Sequence, residues 1–152
     1  MQLENKCLVP ADQDTTWQLV MDIPRVASCI PGVNDVTSQG DDKFNAVMQV
    51  RIGPMRLTFS GTILRVDQDK QKGEARFRVE AADRRLGGSF RADMTLRLNS
   101  LSETQTELSI ESDVAFMGKL GELGQPLIRR KAGNTLEDFA RNLSQQVNGV
   151  PR

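Results

Sequence analysis

Lys131 and Thr135, one helical turn apart, are the residues of this chain whose types and spacing best suit them to hold a ligand. Both fall in a stretch whose apolar residues recur at helical spacing: Leu120, Leu127, Ile128, Ala132, Leu136, Phe139, Ala140, Leu143 and Val147. An ammonium and a hydroxyl within such a stripe can hold the oxygen atoms of a polar head group or of a quinone ring. More commonly a lysine there lays its stem along the apolar surface and carries its charge out to water. The sequence leaves both readings open. Other chemistry is scarce. The chain has no histidine and no tyrosine, which removes the commonest metal ligand, the commonest general base and every Ser-His or Cys-His pair. Cys7 and Cys29 form no metal-ligand pattern and are expected to stay reduced. Asp41-Asp42 and Glu111/Asp113 belong to a turn or a charged face, and Arg129 and Arg130 to a solvated one. No catalytic residue, metal site or covalent cofactor is expected.

The totals agree with a binding module. With 152 residues, a single domain spanning 1–152 can bury a core without metals or disulfides. Twenty basic residues balance twenty acidic ones, so no global field is expected to draw the protein to nucleic acid or anionic lipid. The amino-terminal residues lack the apolar core of a signal peptide. No run approaches the ~18 apolar residues of a membrane span. The expected location is cytoplasmic.

The elements that must position Lys131 and Thr135 follow from periodicity. Gln2 to Val9 alternates and reads as a strand ended by Pro10. A helix to about Met21 carries Trp17, Val20 and Met21 inward, and Pro24 opens a second short helix that Pro31-Gly32 stops. A period of two then takes over. Phe44, Ala46, Met48, Val50 and Ile52 lead to a turn at Gly53-Pro54; Met55, Leu57, Phe59, Gly61 and Ile63 follow. Ala75, Phe77, Val79 and Ala81 precede Phe90, Ala92, Met94, Leu96 and Leu98, and Leu108, Ile110, Val114 and Phe116 close the series. Short connections make the sheet antiparallel, with six to seven strands. Its apolar face needs a cover, and one helix from Gly118 to Val147 is long enough. The order predicts an α+β helix-grip fold: a curved sheet wrapped around a long carboxyl-terminal helix, with two short helices after the first strand.

The apolar face mixes large residues (Phe44, Met48, Phe59, Phe77, Phe90, Met94, Phe116 and Met117) with Ala46, Gly61, Ala75, Ala81 and Ala92. Such a mixture either interlocks with the helix as a solid core or leaves a void lined also by Leu120, Leu127, Lys131 and Thr135. Empty apolar space costs about 24 cal/mol per Å³, so a void calls for a ligand or a collapse. Pro31, Gly32, Gly53 and Pro54 are turn residues first, and candidates for a cavity mouth.

Cys29-Ile30-Pro31-Gly32 and Met117-Gly118-Lys119-Leu120-Gly121, with Trp17, Asp22, Ile52-Gly53-Pro54 and Phe59-Ser60-Gly61, resemble the carbon monoxide dehydrogenase CoxG family. That family is a branch of the START/Bet v-like superfamily, and the resemblance covers nearly the whole chain. It implies a non-catalytic accessory protein with a cavity for a quinone or lipid. The implied partners are the subunits of a molybdenum hydroxylase of the carbon monoxide dehydrogenase type, with peripheral contact at the inner face of the cell membrane. Some relatives carry a hydrophobic carboxyl-terminal anchor. This sequence ends at Arg152, so the expected membrane contact is through the domain surface or a partner. Two readings compete with the carrier. One is a docking or assembly factor with a filled core; the other is a cyclase or hydrolase, which needs a polar, acid-lined pocket.

Overall fold

Between residues 43 and 118 apolar and polar side chains alternate, and the backbone follows them into long paired strands. The computed structural model describes residues 1–148, so the last four of the expected 1–152 domain lie outside the described residues. The order is β1 (Gln2–Val9), α1 (Gln13–Met21), α2 (Ile23–Ala27), β2 (Val33–Ser38), β3 (Lys43–Ile52), β4 (Met55–Asp69), β5 (Glu74–Asp83), β6 (Gly88–Ser102), β7 (Gln105–Gly118), a 3-10 turn (Lys119–Leu123) and α3 (Gln125–Asn148).

The seven strands form one antiparallel sheet in the order β1-β7-β6-β5-β4-β3-β2, so the first strand crosses over to pair with the last. Register places Met48 opposite Phe59, Phe77 opposite Met94 and Phe90 opposite Phe116, which gathers the large inward residues on one concave face. Gly61 permits a close approach between β4 and β5. A Cβ there would collide with the Glu80 carbonyl and with Ala81 on the neighbouring strand. Its function is therefore in strand pairing, and it is no free wall position for enlargement.

The carboxyl-terminal helix differs from expectation. A single helix from Gly118 to Val147 is replaced by the 3-10 turn and α3, broken at Gly124 with φ +83°. Pro126 then sits in the first turn of α3, where its missing N–H leaves no hydrogen bond unmade, and so it does not kink the helix. Gly118, with φ +65°, opens the 3-10 turn so close to Gly87 that a side chain would strike the Gly87 carbonyl.

Two apolar clusters hold the layers together. The larger joins Trp17, Val20 and Ile23 to Leu108, Ile110, Phe139 and Leu143. The smaller packs Ile52, Leu57, Phe59 and Leu120 at the end of the sheet where α3 begins. The far end of α3 is tied down by polar contacts: Asn142 Nδ2 donates to the Cys29 carbonyl at 2.9 Å, and Arg25 Nε to Gln146 Oε1 at 3.0 Å. Along its length α3 packs chiefly on β1 and only lightly on β3. That light packing matters for the site.

Candidate functional site

Between the concave face and α3 the packing leaves space. One chamber of about 250 Å³ is lined by Met48, Val50, Ile52, Phe59, Phe90, Ala92, Met94, Phe116 and Leu120 from the sheet side, with Ile128, Lys131, Ala132, Thr135 and Leu136 from α3. Leu3, Ser112 and Val114 complete it. A second chamber of about 240 Å³ lies beneath α2, between Ile23, Val26, Ala27 and Ile30 on one side and Ile63, Phe77, Val79 and Leu96 on the other. Met94, Thr135 and Leu136 belong to both linings.

Most of the residues expected to face a ligand cavity meet here. Met48, Phe59, Phe90, Ala92, Met94, Phe116, Leu120, Lys131 and Thr135 surround the first chamber, while Phe77 lines the second. Phe59 and Phe90 meet edge to face, ring centres 5.0 Å apart, which stiffens the wall they share. Others fall elsewhere. Met117 is a correction: Phe116 points inward, so its neighbour on β7 must point outward, and Met117 is 47% exposed on the convex face beside Ser60, Thr62 and Arg91. Phe44 is buried in the larger cluster and lines neither chamber. Leu127 is half-buried in the smaller cluster, against the Gly53 turn.

Pro31, Gly32, Gly53 and Pro54 line neither chamber either. They bracket a stretch of β3 that β2 leaves unpaired. The β2 ladder begins at Val33 opposite Met48, the Gly32 carbonyl accepts from Gln49 N–H at 2.8 Å, and no β2 residue pairs beyond. The open edge therefore runs from about Val50 to the Gly53-Pro54 turn, where α3 is only lightly packed.

The polar groups of the first chamber are few. Lys131 and Thr135 are half-buried, and among the described residues Lys131 forms no salt bridge. Ser112 is a polar lining residue absent from the sequence-based expectation. It has the same parity on β7 as Ile110 and Val114, which is signal enough to place it inward. No carboxylate lines either chamber.

Titratable groups elsewhere have structural explanations. Burial pushes the Cys7 thiol up to about 11, and burial also raises Cys29. Asp83, 2% exposed, accepts from the backbone N–H of Leu86 at 2.9 Å and of Thr58 at 2.7 Å. Those two bonds hold its carboxyl below the usual range. Asp83 thereby clips the β3–β4 hairpin to the β5–β6 loop.

That same end of the sheet is basic. Arg51 and Arg56 on the hairpin, Arg84 and Arg85 on the β5–β6 loop and Lys119 after β7 are exposed, and none forms a salt bridge among the described residues. The segments touch: Arg85 donates to the Arg56 carbonyl at 3.3 Å, and Lys119 N–H to the Gly87 carbonyl at 3.3 Å. The overall charge balance thus hides a local excess, which a composition count cannot register. No described helix is long and apolar enough to cross a membrane, and no described cluster of side chains could hold a metal ion.

The seven-stranded sheet closed around a long helix is a helix-grip fold of the START/Bet v-like type. The chain belongs to the carbon monoxide dehydrogenase CoxG family, whose model matches residues 6–148. Among solved structures, a conserved protein from Geobacillus kaustophilus superposes with a TM-score of 0.88 at 18% identity, covering 98% of this chain and 96% of that one. The Zhui aromatase/cyclase from Streptomyces sp. R1128 gives 0.69 at 13% identity, with 97% and 93% coverage. A START superfamily protein from Mycobacterium smegmatis gives 0.63 at 17% identity, with 99% of each chain covered. At these identities the likeness speaks for the fold alone. No curated protein matches the sequence.

Proposed function

We propose that this protein is a non-catalytic carrier for a quinone- or lipid-type molecule. In this reading it serves a molybdenum hydroxylase of the carbon monoxide dehydrogenase type and links that enzyme to the membrane. The observation that carries the proposal is the pair of apolar chambers between sheet and α3, with Lys131, Ser112 and Thr135 as their polar groups. An alkyl chain of ~10 methylenes buried there contributes roughly 8 kcal/mol before the costs of association, enough for useful affinity. Family membership supports the accessory role and the enzyme partner. The cluster of Arg51, Arg56, Arg84, Arg85 and Lys119 supports peripheral contact with an anionic membrane surface, at about 1 kcal/mol per basic residue near the bilayer.

Two structural relatives bear the names of aromatase/cyclases, so an enzyme on this scaffold is a real competitor. The chamber linings hold no carboxylate to pair with Lys131 as the acid or base that such chemistry needs.

Mass spectrometry of an organic extract of the purified protein, beside native mass spectrometry of the intact protein, tests the proposal. A stoichiometric prenylquinone or lipid is expected. An empty extract, repeated after incubation with membranes, contradicts the carrier reading. Retention of the hydroxylase in a pull-down would then leave a docking factor that carries no ligand. Sedimentation with vesicles containing phosphatidylserine, lost as salt is added, tests the membrane contact; salt-independent or absent binding contradicts it.

A further inference from the structure

We propose that the ligand is a single-chain amphiphile lying across both chambers, its oxygen-bearing head beside Lys131 and its tail passing Met94 and Leu136 into the space beneath α2. This rests on the carrier reading and adds to it the orientation and size of the cargo. Two observations carry it. The polar side chains are segregated: Lys131 and Ser112 line only the first chamber, Thr135 stands at the divide, and every other residue lining the second is apolar. The volumes point the same way. Chambers of about 250 and about 240 Å³ are each smaller than the roughly 300–1,000 Å³ of small-molecule sites, whereas the two joined fall inside that range.

The divide between them suits passage of a chain. Met94 has an unbranched side chain that adapts its shape to what lies against it. Leu136 faces it from α3, one position beyond Thr135. A flexible chain suits such a divide better than a rigid ring, and the polar groups place the bulky head on the Lys131 side. The lysine ammonium and the two hydroxyls can all donate hydrogen bonds, so the head they fit is one that accepts: a ring carbonyl or a carboxylate. Quinones and fatty acids share this acceptor chemistry and differ in head shape and charge.

The test compares binding of two alkyl 1,4-benzoquinones, one with a two-carbon and one with a ten-carbon chain, and of decanoate as the carboxylate counterpart. Affinity of the wild-type protein should rise about threefold to fourfold per methylene until the second chamber is full. Val79→Phe fills the second chamber only. It should weaken the ten-carbon quinone at least tenfold and change the two-carbon quinone by less than about twofold. Ala27→Leu, from the α2 side, should act in the same direction, so the test survives if one variant fails to fold. Lys131→Met should weaken both chain lengths by a common factor of about tenfold. Tighter binding of decanoate than of the ten-carbon quinone would assign the head as a carboxylate, and the reverse order as a ring carbonyl. Equal loss of both quinones in the Val79 and Ala27 variants, or no loss of either, overturns the two-chamber placement while leaving the carrier reading intact. Failure of the wild-type protein to bind any of the three probes overturns both.

Discussion

The two faces of the sheet are built from the same strands by alternate residues, yet their charges have opposite circumstances. On the convex face cations and anions meet across the strands. Arg78 reaches Asp93 at 2.9 Å, Arg97 reaches Glu74 at 3.0 Å and Glu111 at 2.9 Å, and Arg91 reaches Glu80 at 3.6 Å. Facing the concave side, Lys131 has no such partner among the described residues, and apart from Ser112 and Thr135 the chamber it lines is apolar. A charge answered by its neighbour in the ladder needs no ligand. The unanswered one over an apolar void is where a ligand's oxygens gain most.

That contrast can be broken or sharpened by substitution. The largest effect on stability belongs to the concave side away from the void. Leu143, a fully buried residue of α3, should cost about 2–5 kcal/mol as Leu143→Ala in urea unfolding. Next comes Asp83→Asn, which removes a charged acceptor from two backbone donors and should cost about 1–3 kcal/mol at pH 7. The sign with pH follows from the depressed folded-state value. The stabilisation is complete above the ordinary aspartate value of about 4 and is lost as pH falls through the lower value of the folded state. Wild type and Asp83→Asn should therefore converge in stability at acid pH, and a gap that widens instead would refute the assignment. On the convex face Arg78→Ala should cost under about 1 kcal/mol, because the pair is exposed and screened. The smallest effect belongs to Lys131→Met. It should leave unfolding unchanged or slightly raised while lowering ligand affinity, the reverse of a core truncation. A stability loss as large as that of Leu143→Ala would mean that Lys131 is structural.

Much of this arrangement is legible in the sequence because alternation is a local property. Phe90, Ala92 and Met94 read inward from spacing alone, and the stripe of α3 from its helical period. Where the reading fails, the cause is equally physical. Phe116 and Met117 cannot share a face of one strand, and counting both as inward ignores the pleat. The helix break is written in Gly124-Gln125-Pro126, a left-handed residue followed by a helix start. The role of Asp83 is not legible, because its partner Thr58 lies on another strand. Nor is the void. Whether large and small side chains interlock depends on sheet curvature and on how closely α3 approaches β3, and neither is set by any short stretch of residues.

In the proposed function the ligand occupies the space between sheet and α3. Ala92, 5% exposed and lining the first chamber alone, offers the most direct test. Calorimetric titration of wild type and Ala92→Phe with the ten-carbon benzoquinone should show tenfold or greater loss in the variant. Its melting temperature should be unchanged or higher, since the new ring fills a void rather than displacing packed atoms. Unaltered affinity in a correctly folded Ala92→Phe protein would contradict the account and move the ligand out of this cavity.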